Sequence, residues 1–108
     1  MKTYPVLSDK GDFLGFEIDN TLIRVSTIVK LLQKNLKIQN IQKQKFFDSS
    51  EVRINFIYKN KDYIVWEPFG DNSRYWIGLV DGEKLENNLE DLKDIEKVFK
   101  KHKLFYFL

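Results

Sequence analysis

Val52-Arg53-Ile54-Asn55-Phe56-Ile57-Tyr58-Lys59-Asn60-Lys61-Asp62-Tyr63-Ile64-Val65-Trp66-Glu67 is the stretch on which the fold turns. Val52, Ile54, Phe56 and Tyr58 alternate with Arg53, Asn55 and Ile57, a period of two that sends the first set to one face of a strand. Lys59-Asn60-Lys61-Asp62 supplies a turn, and Tyr63 to Glu67 runs back, so the stretch predicts a β-hairpin. Pro68 has no backbone donor and is expected to end or border the returning strand. Phe69-Gly70-Asp71-Asn72 has the residues to reverse direction again, and Arg74 to Val80 is expected as a further antiparallel strand.

Toward the N-terminus, Leu14, Phe16 and Ile18 alternate through Phe13–Ile18 and predict a strand. Asp19-Asn20 marks a turn, and Thr21 to Arg24 is expected to return as a short partner in a small hairpin. Ser26 offers a hydroxyl to cap a helix over about Thr27 to Asn35, with Ile28, Leu31 and Leu32 on its apolar face. Lys37 to Phe47 is polar with scattered β-branched residues and lysines, which suits a strand at a sheet edge. Toward the C-terminus, Asn87 and Asn88 are candidate caps for a last helix. Leu89, Leu92, Ile95 or Glu96, and Phe99 form its buried stripe, and lysines occupy its final turns. The apolar tail Leu104–Leu108 is expected to pair as a terminal strand or to pack on the core. The order predicts a single α+β domain over residues 1–108. Its expected architecture is an antiparallel sheet of four to six strands with two helices on one face, and a decorated split βαβ (ferredoxin-like) is one form this order can take.

A hydrophobic fraction of 43% with 15% aromatic residues is enough for one core in 108 residues, so neither disulfides nor a structural metal is required. There are no cysteines, which excludes a thiolate metal site and a cysteine nucleophile and fits a reducing compartment. The start of the chain lacks the apolar run of a leader, and nothing approaches the roughly 20 apolar residues of a membrane span. A cytoplasmic location without membrane contact is the expectation. The net charge of +2 is small, but it is unevenly spread. Asn20 to Phe47 holds only cations, Asp81 to Glu96 is mostly acidic, and Lys97 to Lys103 is basic again. Such bipolarity can orient a charged partner, or it can be a solvated surface with helix-end charges matched to the dipoles.

Signals for catalysis are sparse. His102 is the single histidine and sits among the lysines at the end of the last helix, where it reads as a helix-end cation. Ser73, His102 and Asp71 could be assembled into a triad on paper, but no nucleophile-elbow pattern accompanies them. Glu67, Asp71 and Asp19 could hold a hard cation or act as an acid–base pair, although such groups more often cap turns or pair with an arginine such as Arg74. The five glycines form neither a P-loop nor a dinucleotide fingerprint. A non-enzymatic protein without cofactor or metal is expected. Nucleic-acid binding is a rival: Tyr58, Tyr63, Trp66, Tyr75 and Trp76 could stack bases beside the basic Asn20–Phe47 flank. The aromatic ribonucleoprotein pattern of such sheets is missing, and the following helix is acidic.

The densest cluster of recognition chemistry runs from Glu67 to Gly78. Arg74 offers a forked grip on a carboxylate, Tyr75 and Trp76 large contact area, and Asp71, Asn72 and Ser73 directional hydrogen bonds. With Glu67 these form the first candidate partner-binding patch, and the helix acids Glu86, Glu90, Asp91 and Asp94 form the second. The same groups can instead be a structural hub, with Arg74 bonded to Glu67 or Asp71 and Trp76 buried. Alternation sends one of Tyr75 and Trp76 inward. Phe16-Glu17-Ile18-Asp19-Asn20, the Ser26-Thr27-Ile28 helix entry and the Val65–Gly78 block together resemble small bacterial immunity proteins, in particular those of contact-dependent growth inhibition systems. The resemblance implies a cytoplasmic protein that neutralises a cognate toxin domain, commonly a nuclease, by stoichiometric binding. Inhibitors of nucleases are often acidic, whereas this chain is mildly basic and offers that charge only in Asp81–Glu96.

Overall fold

The computed structural model describes residues 1–19, 23–43, 52–67, 74–80 and 89–102. Along the chain come β1 (Tyr4–Leu7), β2 (Phe13–Asp19), α1 (Val25–Asn35), β3 (Gln39–Lys43), β4 (Val52–Tyr58), β5 (Lys61–Trp66), β6 (Arg74–Leu79) and α2 (Leu89–Lys101). The strands form one six-stranded sheet in the order β1-β2-β6-β5-β4-β3, with every neighbouring pair antiparallel. Both helices pack on the same face, which is the α+β architecture that the alternation and helical spacing predict. β2 and β3 run in the same direction, and α1 carries the chain between them across β6, β5 and β4. The split of this βαβ unit is therefore filled by a whole meander, wider than the ferredoxin-like form.

The β4–β5 hairpin closes through a two-residue turn at Lys59 and Asn60, whose φ values of 50° and 65° match the turn type that follows strand twist. β5 thus begins at Lys61, two residues before the expected start. The core lies between sheet and helices. Phe16 and Ile18 from β2, Ile28 and Leu32 from α1, Ile54 and Phe56 from β4, and Tyr63 and Val65 from β5 meet Ile77, Leu92, Ile95 and Phe99 there. Each buried side chain of this size contributes about 1.5–3 kcal/mol. Phe16 packs against Phe99 with ring centroids 5.6 Å apart, fixing α2 across β2.

Two local expectations are affected and one strand is added. Of the expected return strand Thr21 to Arg24, Thr21 and Leu22 lie outside the described residues; Ile23 is buried in the core, Arg24 is the N-cap of α1, and the described partners of β2 are β1 and β6. Ser26 is not the cap, because the Tyr75 hydroxyl donates to the Ile23 carbonyl at 3.2 Å and anchors the helix entry upstream of it. β1 is an added edge strand. Its Pro5 is tolerated because an edge has a free side, and the lead-in is tied to α2 where Thr3 donates to Glu96 at 2.8 Å. The terminal ammonium of Met1 donates to the carbonyls of Phe99, Lys100 and His102 at the end of α2. The expected strand Leu104–Leu108, the candidate caps Asn87 and Asn88, and Gln44–Phe47 lie outside the described residues. Among the described residues no helix is long and apolar enough to cross a membrane.

Tyr63 is fully buried and stacks on Phe56 at 5.4 Å, yet its hydroxyl finds no hydrogen-bond partner among the described residues. Burial pushes this phenol well above its ordinary pKa. Tyr63→Phe keeps the stack and removes the unsatisfied group, so urea unfolding is expected to show stability unchanged or raised by about 1 kcal/mol. Tyr58→Phe, which removes the 3.1 Å bond from the Tyr58 hydroxyl to Asp94, is expected to lower it. A loss on Tyr63→Phe would mean that the buried hydroxyl is satisfied after all.

Candidate functional site

Alternation along β6 sends Tyr75 and Ile77 into the core and leaves Arg74, Trp76 and Gly78 on the opposite, helix-free face, which no described helix covers. Antiparallel register lines up that face in rows. Asp19 faces Arg74. Next come Tyr4, Glu17, Trp76 and Trp66, drawn from β1, β2, β6 and β5. The third row is Val6, Gly15, Gly78, Ile64 and Asn55. Ile57 and Asp62 pair beyond it.

Gly15 and Gly78 sit directly opposite one another, and the Trp76 indole occupies the space that their missing side chains leave. A Cβ on Gly78 would stand 2.5 Å from Trp76 Cη2 and 3.0 Å from the Leu14 carbonyl oxygen. One on Gly15 would stand 2.7 Å from the Ile77 carbonyl oxygen and 2.9 Å from Trp76 Cζ2. The indole therefore lies against backbone, as aromatic side chains do when they cover glycines in sheets. Trp66 meets it edge-on, at 6.0 Å between centroids and 84° between planes, an arrangement worth about 0.5–1.5 kcal/mol beyond burial. Both tryptophans are half-buried, so each is held by the fold while part of its surface faces solvent.

Arg74 is held on three sides. Its guanidinium stacks on the Tyr4 ring at 3.7 Å, Nη1 donates to Glu17 Oε1 at 3.2 Å, and Nε lies 3.5 Å from Asp19 Oδ1. The Tyr4 hydroxyl donates to Asp19 at 3.0 Å, and that bond, with some burial and the carboxylate charge, raises the phenol pKa. Among the described residues the carboxylate partners of Arg74 are thus Glu17 and Asp19 on the neighbouring strand. Glu67 is not among them; it is buried and paired with Arg53 at 2.7 Å.

The candidate residues consequently separate. Arg74 and Trp76 share the helix-free face, while Tyr75 and Glu67 are buried. Asp71, Asn72, Ser73 and Glu86 lie outside the described residues. Glu90 is exposed at the start of α2. Asp91 and Asp94 clamp α2 to the β4–β5 turn: Lys61 donates to Asp91 at 2.8 Å, and Lys59 lies 3.3 Å from Asp91 and 3.5 Å from Asp94. Tyr4 and Glu17 join the face without a sequence signal for them; of the rings that could stack bases, Trp66 joins it too, while Tyr58, Tyr63 and Tyr75 are buried. Trp66 was readable, since it falls on the opposite parity from Tyr63 and Val65. Glycine inside a strand was the other available signal. Searches against protein-family models, curated proteins and solved structures give no match to this chain.

Gly78→Ala is expected to displace the indole and cost about 1–3 kcal/mol, read in urea unfolding together with loss of the Trp66–Trp76 signal in circular dichroism. An unchanged spectrum would show that the indole does not rest on this glycine. Asp91 gives a second expectation. Burial pushes its carboxyl pKa up, but the Lys61 and Lys59 ammonium groups outweigh that and hold it below the usual range. Its folded-state pKa is depressed, so its contribution is present above about pH 4 and is lost as pH falls through the folded value. Asp91→Asn is expected to flatten the acid limb of stability against pH, and an unaltered limb would contradict the clamp.

Proposed function

We propose that this chain is a binding protein, specifically an immunity protein that neutralises a cognate bacterial toxin domain by stoichiometric docking on the helix-free face of its sheet. One observation carries the reading: Trp76, Trp66, Tyr4 and Arg74 stand together on a sheet face that no described helix covers, each fixed by neighbours within the fold. Tryptophan, tyrosine and arginine are the residues most often found as binding anchors. An aromatic ring already locked in position loses little freedom when a partner arrives. The Val65–Gly78 block that resembles immunity proteins contains three of these four residues, Trp66, Arg74 and Trp76, which adds support. In this reading the protein acts in the cytoplasm, and no bond is made or broken by its own side chains.

The rival reading is a single-stranded nucleic-acid-binding domain, and the charges of the face disfavour it. Glu17, Asp19 and Asp62 would repel phosphates at the places where a base stacked on Trp76 or Trp66 would need its backbone neutralised.

Co-purification with the toxin domain encoded by a neighbouring gene tests the proposal. A one-to-one complex is expected. Trp76→Ala is expected to weaken it by about 2 kcal/mol or more, roughly thirtyfold, whereas Lys30→Ala, on the helical layer, leaves it intact. Retention on RNA with steep salt dependence, or indifference to the neighbouring toxin domain, would overturn the reading.

A further inference from the structure

The chemistry of the docking face also says what kind of surface it fits, on the premise that the docking reading holds. We infer that the partner presents a basic segment and lays an arginine guanidinium on the outer surface of the Trp76 indole, beside the Glu17 carboxylate, with Asp62 two register rows further along the same face.

Arg74 supplies the precedent within the molecule. This face already holds one guanidinium by combining an aromatic ring at 3.7 Å with two carboxylates at 3.2 and 3.5 Å. Trp76 repeats the elements of that arrangement with its outer surface free of a cation among the described residues. Indole is the strongest of the aromatic cation acceptors. The glycine bed takes up its inner surface, so an incoming group meets the outer one. Glu17 stands directly across from Trp76 in the β2–β6 register.

The charge balance points the same way. Among the described cations near Tyr4, Lys2 lies 5.1 Å over the Tyr4 ring and Arg74 is already shared between Glu17 and Asp19. Asp19 keeps 54% of its side chain exposed despite that contact. Asp62 is exposed and has no ion pair among the described residues. An electronegative aromatic surface bordered by carboxylates attracts a cation and disfavours an anion. Arginine suits it better than lysine, because a planar guanidinium stacks flat on the ring while its edge donates to a carboxylate.

The test follows the indole N–H resonances of Trp66 and Trp76, the two tryptophans of the chain, with Trp66→Phe assigning them. The folded full chain is titrated with a blocked peptide of alternating glycine and arginine. A citrulline peptide of the same shape, a glutamate peptide and single-stranded RNA serve as comparisons. The arginine peptide is expected to move the Trp76 resonance and to bind roughly tenfold tighter than its citrulline counterpart. The double substitution Glu17→Gln with Asp62→Asn is expected to reduce that difference to about twofold, with the Trp66 and Trp76 resonances otherwise in place. Equal shifts from citrulline or glutamate, or a response to RNA alone, would overturn the inference. A toxin complex that survives in the face of such a result would leave the docking reading standing. A clear arginine response without any toxin complex would do the reverse.

Discussion

Both helices lie on the same side of the sheet, and a sheet has two sides. That asymmetry governs the molecule. Strand residues alternate between faces, so each strand must serve a dry layer and one left uncovered by the described helices with neighbouring side chains. In β6 the consequence is sharp. Tyr75 goes inward and anchors the entry of α1 through the Ile23 carbonyl, while Trp76, its immediate neighbour, lies outward on Gly78 and Gly15. A slip of one residue would exchange these roles and put an indole where a phenol now satisfies the backbone.

Charged groups follow the same division. On the covered side they act as fasteners: Asp91 and Asp94 hold the β4–β5 turn against α2, Glu96 takes the Thr3 hydroxyl, and Glu67 receives Arg53. On the uncovered side they work as a frame around aromatic rings, with Arg74 wedged between Tyr4 and two carboxylates. Partly buried pairs with good geometry hold their partners in place even where their net contribution to stability is small. For the uncovered face the value lies in order more than in energy. Each ring has one orientation imposed by what lies beneath it.

Much of this was legible in the residues, and the exceptions have physical causes. Long alternating runs such as Val52–Tyr58 and the stripe Leu92, Ile95, Phe99 announce their elements, because local period and burial agree. β1 did not announce itself: it has only four residues, one of them proline, and exists because β2 offers it an edge. The local capping preference points to Ser26, whereas α1 starts at Val25 with its entry held by the contact from Tyr75. For the candidate site, Arg74 and Trp76 were found but their surroundings were not. Glu17 lies far away along the chain and meets them only through strand pairing. Spacing along the sequence offered Glu67 and Asp71 as the nearby acids, whereas register delivered Glu17 and Asp19.

The β2–β6 seam has a consequence for the order in which the chain assembles. β4, β5 and β6 are joined as a meander and can find one another locally, while Gly15 and Gly78 must meet across more than half of the chain. Closing so large a loop is entropically slow relative to hairpin formation. Until it closes, the Trp76 ring has only half of its bed, and Arg74 has neither of its carboxylates. The face around Trp76 and Arg74 is thus expected to be among the last parts of the molecule to take its final form.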